Sequence, residues 1–114
     1  MQADPTRLMP DAWLVNAARS GQQAAFDALY GRYAPRLRDF CERQLGDRDE
    51  AADSVQDTFL LASQRLDQLD DPGRVRSWLY VIASREAMRR LRARPRRPGR
   101  RGRRDPGPGR QRPC

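Results

Sequence analysis

The chain has 114 residues, room for one domain, and its 23 basic residues are all Arg against 15 Asp and Glu, a net charge of +8. With no His and only Cys41 and Cys114 as cysteines, it offers no zinc-ligand spacing, His-based catalytic pair or disulfide framework, and no apolar run approaches the ~18 residues of a membrane span. The charge is divided: residues 1–73 hold 8 Arg and 13 acids, net −5, while residues 74–114 hold 15 Arg and 2 acids, net +13, so the second half favours a polyanion and the first is free to face something basic.

Residues 1–10 read as a flexible N-terminus without a charged and apolar signal pattern, which predicts a cytoplasmic protein. Asp11, after Pro10, is the expected N-cap of a short helix through Trp13, Leu14 and Val15 that ends near Ser20 and Gly21. A second helix is predicted over Gln23 to Leu45, where Phe26, Leu29, Tyr30, Tyr33, Leu37, Phe40, Cys41 and Leu45 recur at three- and four-residue steps. Pro35 cannot donate to the carbonyl of Gly31, so a kink or brief break is expected near Arg32 to Pro35. Cys41 reads as a small buried apolar residue.

Gly46 ends that helix, and Asp47, Asp49 and Glu50 open a third that runs to about Leu66, the acids suiting the positive end of its dipole. Ala52, Val55, Phe59 and Ala62 should face the core; Asp53, Gln56, Asp57 and Leu60 form the adjacent outward face, where an apolar Leu60 beside three polar residues points to a contact surface. Asp70-Asp71-Pro72-Gly73 is a turn signal. A fourth helix follows from about Val75 to Arg94, with Trp78, Leu79, Ile82, Ala83 and Leu91 inward, Tyr80, Ser84, Arg85, Met88, Arg89 and Arg92 outward, and Glu86 paired with Arg90 at i,i+4. From Pro95 to Cys114, 17 of 20 residues are Arg, Pro or Gly, a composition that predicts a disordered basic tail or linker. The expected fold is therefore all-α, a compact bundle of about four helices over residues 11–94.

Three motifs then carry a resemblance. Phe26-Asp27-Ala28-Leu29-Tyr30-Gly31-Arg32-Tyr33-Ala34-Pro35-Arg36-Leu37, Asp53-Ser54-Val55-Gln56-Asp57-Thr58-Phe59-Leu60 and Arg76-Ser77-Trp78-Leu79-Tyr80-Val81-Ile82-Ala83, in this order and spacing, resemble region 2 of the sigma-70 superfamily, in its extracytoplasmic-function group of bacterial RNA polymerase sigma factors. The resemblance implies that Asp53, Gln56, Asp57 and Leu60 bind the coiled-coil clamp helices of the polymerase β′ subunit. It also implies that the loop Asp67 to Arg76 and the fourth helix recognise the promoter −10 element and hold a base flipped from the non-template strand, with Arg74, Arg76, Tyr80, Ser84, Arg85, Arg89 and Arg92 as DNA contacts. Trp78, on the apolar stripe, is assigned to the core rather than to stacking. An anti-sigma factor is a further implied partner.

The chain departs from the family pattern at Val75, where Phe is common, and at Arg85 and Arg89, where Asn and Asp are common. These changes leave DNA attraction intact or stronger and leave the base preference open. The second family domain, the helix-turn-helix region 4 that reads the −35 element, is not found in this sequence, whether through truncation, frameshift, isolation of the domain or a natural one-domain form. Two other functions fit the residues: a nonspecific Arg-rich nucleic-acid binder, and a decoy that binds polymerase or an anti-sigma factor without initiating transcription. No cofactor, metal, catalytic residue or small-molecule substrate is expected, because the acids of residues 47–57 have no His or phosphate loop beside them.

Overall fold

In the computed structural model, which describes residues 8–95, four α-helices follow one another as α1 (Asp11–Arg19), α2 (Gln23–Leu45), α3 (Arg48–Arg65) and α4 (Val75–Ala93). Two 3₁₀ turns, Leu66–Gln68 and Pro72–Arg74, lie between α3 and α4. No strand occurs among the described residues. The expected basic tail lies outside the described residues apart from Pro95, as does most of the expected N-terminal lead.

The long α2 is the spine, packed against α1, α3 and α4. Its apolar stripe buries Leu29, Tyr33, Leu37, Cys41 and Leu45 and half-buries Phe26, Tyr30 and Phe40. Leu14 and Val15 from α1, Val55 and Phe59 from α3, and Leu79 and Ile82 from α4 close the core around it. Fully enclosed side chains such as Leu29 and Leu37 each contribute about 2 kcal/mol from the removal of apolar surface from water.

The helix ends follow from local chemistry. Gly46 takes φ 72° at the end of α2, a left-handed conformation that glycine adopts without steric cost. The Asp47 side chain then accepts from the Glu50 amide at 2.9 Å and caps α3. At α1 the expectation fails in detail: Pro10 occupies the cap and Asp11 is the first helical residue. The Asp11 carboxylate is engaged elsewhere, by the Arg32 guanidinium at 2.7 Å and the Tyr33 hydroxyl. Arg32 also donates to the Met9 carbonyl at 2.8 Å, which ties the start of α1 to α2.

Three further expectations are corrected. Of the kink or brief break expected near Pro35, the break does not occur, α2 being helical from Gln23 to Leu45; both Pro35 and Gly31 are exposed, so water can satisfy the carbonyl that proline leaves without its donor. On α3 the buried row is Ala51, Ser54, Val55, Thr58, Phe59 and Ala62, with Ala52 only half-buried. Thr58 is accommodated because its hydroxyl donates to the Ser54 carbonyl at 2.8 Å. On α4, Glu86 is buried and receives Arg89 at 2.8 and 2.9 Å instead of Arg90.

Candidate functional site

The outward face of α3 is built as the helical spacing requires. Asp53, Gln56 and Leu60 are exposed, Leu60 by 57%, while Val55, Thr58 and Phe59 on the opposite side anchor the helix in the core. Asp57 differs from its neighbours: it is half-buried, and its carboxylate accepts from Arg90 of α4 at 2.6 Å. An open groove of about 670 Å³ runs beside this face, with Phe26, Tyr30 and Phe59 among its lining residues and Gln56, Asp57 and Leu60 along it. Its aromatic residues are locked together, Tyr30 against Phe59 at 4.8 Å between centroids and Phe26 edge-on to Phe59 at 6.1 Å.

Behind Asp57 the three main helices meet in a polar patch. The Arg90 side chain is about three-quarters buried, and its Nε has no hydrogen-bond partner in the protein. Ser54 Oγ is likewise buried without one, close to the Cys41 thiol but outside ordinary hydrogen-bond geometry. Burial pushes the Cys41 pKa up, against smaller opposing influences of Ser54 and Arg90, so the thiol is held in its neutral, inert form.

The residues expected to meet DNA do not share one face. At 3.6 residues per turn, Arg76 and Arg85 stand roughly 180° apart around α4. Arg85, Arg89 and Arg92 are exposed on one flank, Arg89 holding Glu86. On the other flank Tyr80 is half-buried, edge-on to Phe40 at 5.4 Å. Between the flanks lie Ser77, the half-buried Ser84, and the exposed apolar residues Val81 and Met88. Trp78 is half-buried against the core rather than enclosed by it. Arg74 is exposed at the end of the second 3₁₀ turn, 3.5 Å from the Asp71 carboxylate.

The loop before α4 is more ordered than its turn-like composition suggests. Leu66 and Leu69 are buried, whereas Asp67, Gln68, Asp70 and Asp71 are exposed. Asp71 accepts from the Gly73 amide at 3.0 Å, and its carbonyl accepts from the Arg74 amide at 2.8 Å, an Asx-type closure of the second turn. Arg19, at the end of α1, donates to the carbonyls of both Leu66 and Leu69. Sequence reasoning missed Arg19, since nothing in its local pattern points to a loop 47 residues away.

This architecture has known counterparts. Residues 29–97 match the sigma-70 region 2 family. The ECF RNA polymerase sigma factor SigW of Bacillus subtilis is 31% identical over 78 residues, 68% of this chain and 42% of that protein. The ECF RNA polymerase sigma-E factor of Salmonella typhimurium is 33% identical over 90 residues, 79% of this chain and 47% of that protein. An engineered region 2 of sigmaE, solved by NMR in complex with GTAAAA, superposes with a TM-score of 0.70 at 29% identity, covering 81% of this chain and 93% of that one. The chain belongs to the sigma-70 region 2 family. It spans less than half the length of these curated relatives.

Proposed function

We propose that this chain acts as the region 2 module of an extracytoplasmic-function sigma factor, docking on core RNA polymerase through α3 and engaging the −10 promoter element through the 67–76 loop and α4. The observation that carries this reading is the likeness to a region 2 that forms a complex with GTAAAA, in a fold where the acidic α3 face and the cationic α4 flanks point to separate partners. Asp53, Gln56 and Leu60, exposed beside an aromatic groove, suit a basic amphipathic helix such as a clamp helix of the β′ subunit: the carboxylate supplies steering and register, and the leucine supplies apolar contact. Arg76, Arg85 and Arg92 are free of the ion pairs that occupy Arg74, Arg89 and Arg90 among the described residues, and they suit phosphates. Opening of the duplex then follows if the loop holds an unstacked base, whose release from the helix costs a few kcal/mol.

The test is capture of core RNA polymerase by the full chain and by Asp53→Arg. Asp53 is the better site for charge reversal because Asp57 already holds Arg90 inside the protein. Capture should fall by at least about tenfold for the variant, as repulsion replaces attraction at the interface. Equal capture by both chains, or none by either, overturns the docking surface and leaves an Arg-driven nucleic-acid binder as the better account.

A further inference from the structure

The loop between α3 and α4 is fixed by a residue from a different element, Arg19 of α1. Arg19 closes α1, and its half-buried guanidinium reaches across to the end of the first 3₁₀ turn. Nε and Nη2 donate to the Leu66 carbonyl at 3.1 and 2.9 Å, and Nη2 also donates to the Leu69 carbonyl. The Leu66 carbonyl accepts from the Leu69 amide at 3.3 Å as well. The arrangement suits a guanidinium: a planar fork presents two N–H groups to one carbonyl and a third to the next, and a cation is favoured where a helical segment ends in unpaired carbonyls.

These two carbonyls decide which way the loop faces. With Leu66 and Leu69 held, their side chains are buried, and Asp67, Gln68 and Asp70 are exposed between and after them. Helix α1 does not need Arg19 to stay in place, because Leu14, Val15 and Ala17 are buried and Asp11 is bound to α2. Without Arg19 the carbonyls can turn to water, which satisfies them at small cost to the whole fold but releases the loop from a single conformation. A preformed loop loses less entropy on binding than one that must be ordered by its ligand.

We propose that Arg19 is a positioning residue for base selection, holding the 67–76 loop in the conformation that discriminates among unstacked bases, a role that rests on the promoter reading given above. Its experiment is selection from single-stranded DNA randomised over six positions, the length of GTAAAA, using the full chain, Arg19→Ala and Arg19→Lys at a temperature where circular dichroism shows each to be folded. The wild-type chain should enrich a defined motif. Arg19→Ala should enrich it about tenfold less, the equivalent of one well-placed hydrogen bond, and Arg19→Lys should fall between, keeping the charge but losing the fork. A merely structural role would lower the melting temperature and leave the enriched motif and its strength unchanged in the folded variants, and that result overturns the proposal. Should Arg19→Ala not fold, wild-type enrichment by Arg19→Lys overturns it equally. If the wild-type chain enriches nothing, the promoter reading itself fails and the proposal goes with it, an outcome distinct from the other two.

Discussion

Tyr33 and Asp11 form a pair that makes one part of the stability depend on pH. Tyr33 is 4% exposed and its hydroxyl donates to Asp11; its pKa is pushed up from 10.0 to about 12, first by burial, then by that hydrogen bond and by the carboxylate charge. The phenol therefore holds its proton more tightly in the folded chain than in the unfolded one. Its contribution is complete below pH 10 and is lost as pH rises through about 12, amounting to on the order of 2 kcal/mol. Urea denaturation of the wild-type chain and of Tyr33→Phe should give a stability difference that narrows between about pH 10 and 12, because the variant has no proton to lose. A difference that stays constant across that interval would show that Tyr33 has the same pKa in the folded and the unfolded chain.

Between elements, the Asp57–Arg90 pair joins α3 to α4 at the polar patch that also holds Cys41 and Ser54. With Arg90 three-quarters buried and its Nε without a partner, removing Asp57 leaves a desolvated cation, and Asp57→Ala should cost about 1–3 kcal/mol. Replacing both, in Asp57→Ala/Arg90→Leu, should cost less than Asp57→Ala alone, since an apolar side chain carries no charge to strand. Calorimetric unfolding of the two variants checks the non-additivity, and equal or greater loss in the double variant rules it out. The helices were legible in the sequence because Gly46, Asp47 and the apolar stripe of α2 are local signals, and α2 begins and ends where the stripe does. Interhelical ties were not: Arg90 looks like a surface residue four positions from Glu86, and only the fold shows that it turns inward to Asp57. Ser54 and Thr58 are polar and so do not read as core residues, whereas Ala52 reads as inward because it continues the three- and four-residue steps of Val55, Phe59 and Ala62, yet it lies at the edge of the buried row. Of the candidate site, the helical spacing gave the joint exposure of Asp53, Gln56 and Leu60 but not the tie of Asp57 to Arg90, and the α4 set divides into two flanks that a one-dimensional pattern cannot separate.

For the molecule as a whole, the division of charge seen in the sequence becomes a division of surfaces. The acids of α3 and the arginines of α4 belong to adjacent helices, yet Asp57 and Arg90, and Glu50 and Arg94, neutralise each other where those helices meet. Exposed and outside those pairs are Asp49 and Asp53 on one helix and Arg76, Arg85 and Arg92 on the other, so a basic partner and a polyanion can approach without competing for the same side chains. The contact from Arg19 to Leu66 has a different bearing on the same architecture. It closes 47 residues of chain, and so is disfavoured until α1, α2 and α3 have already assembled. Stopped-flow measurements on Arg19→Ala should therefore find refolding at nearly the wild-type rate and unfolding several-fold faster, the pattern of an interaction absent from the transition state. On that account the loop between α3 and α4 is the last segment to be secured as the chain folds, and its fastening governs how long the finished structure lasts rather than how quickly it forms.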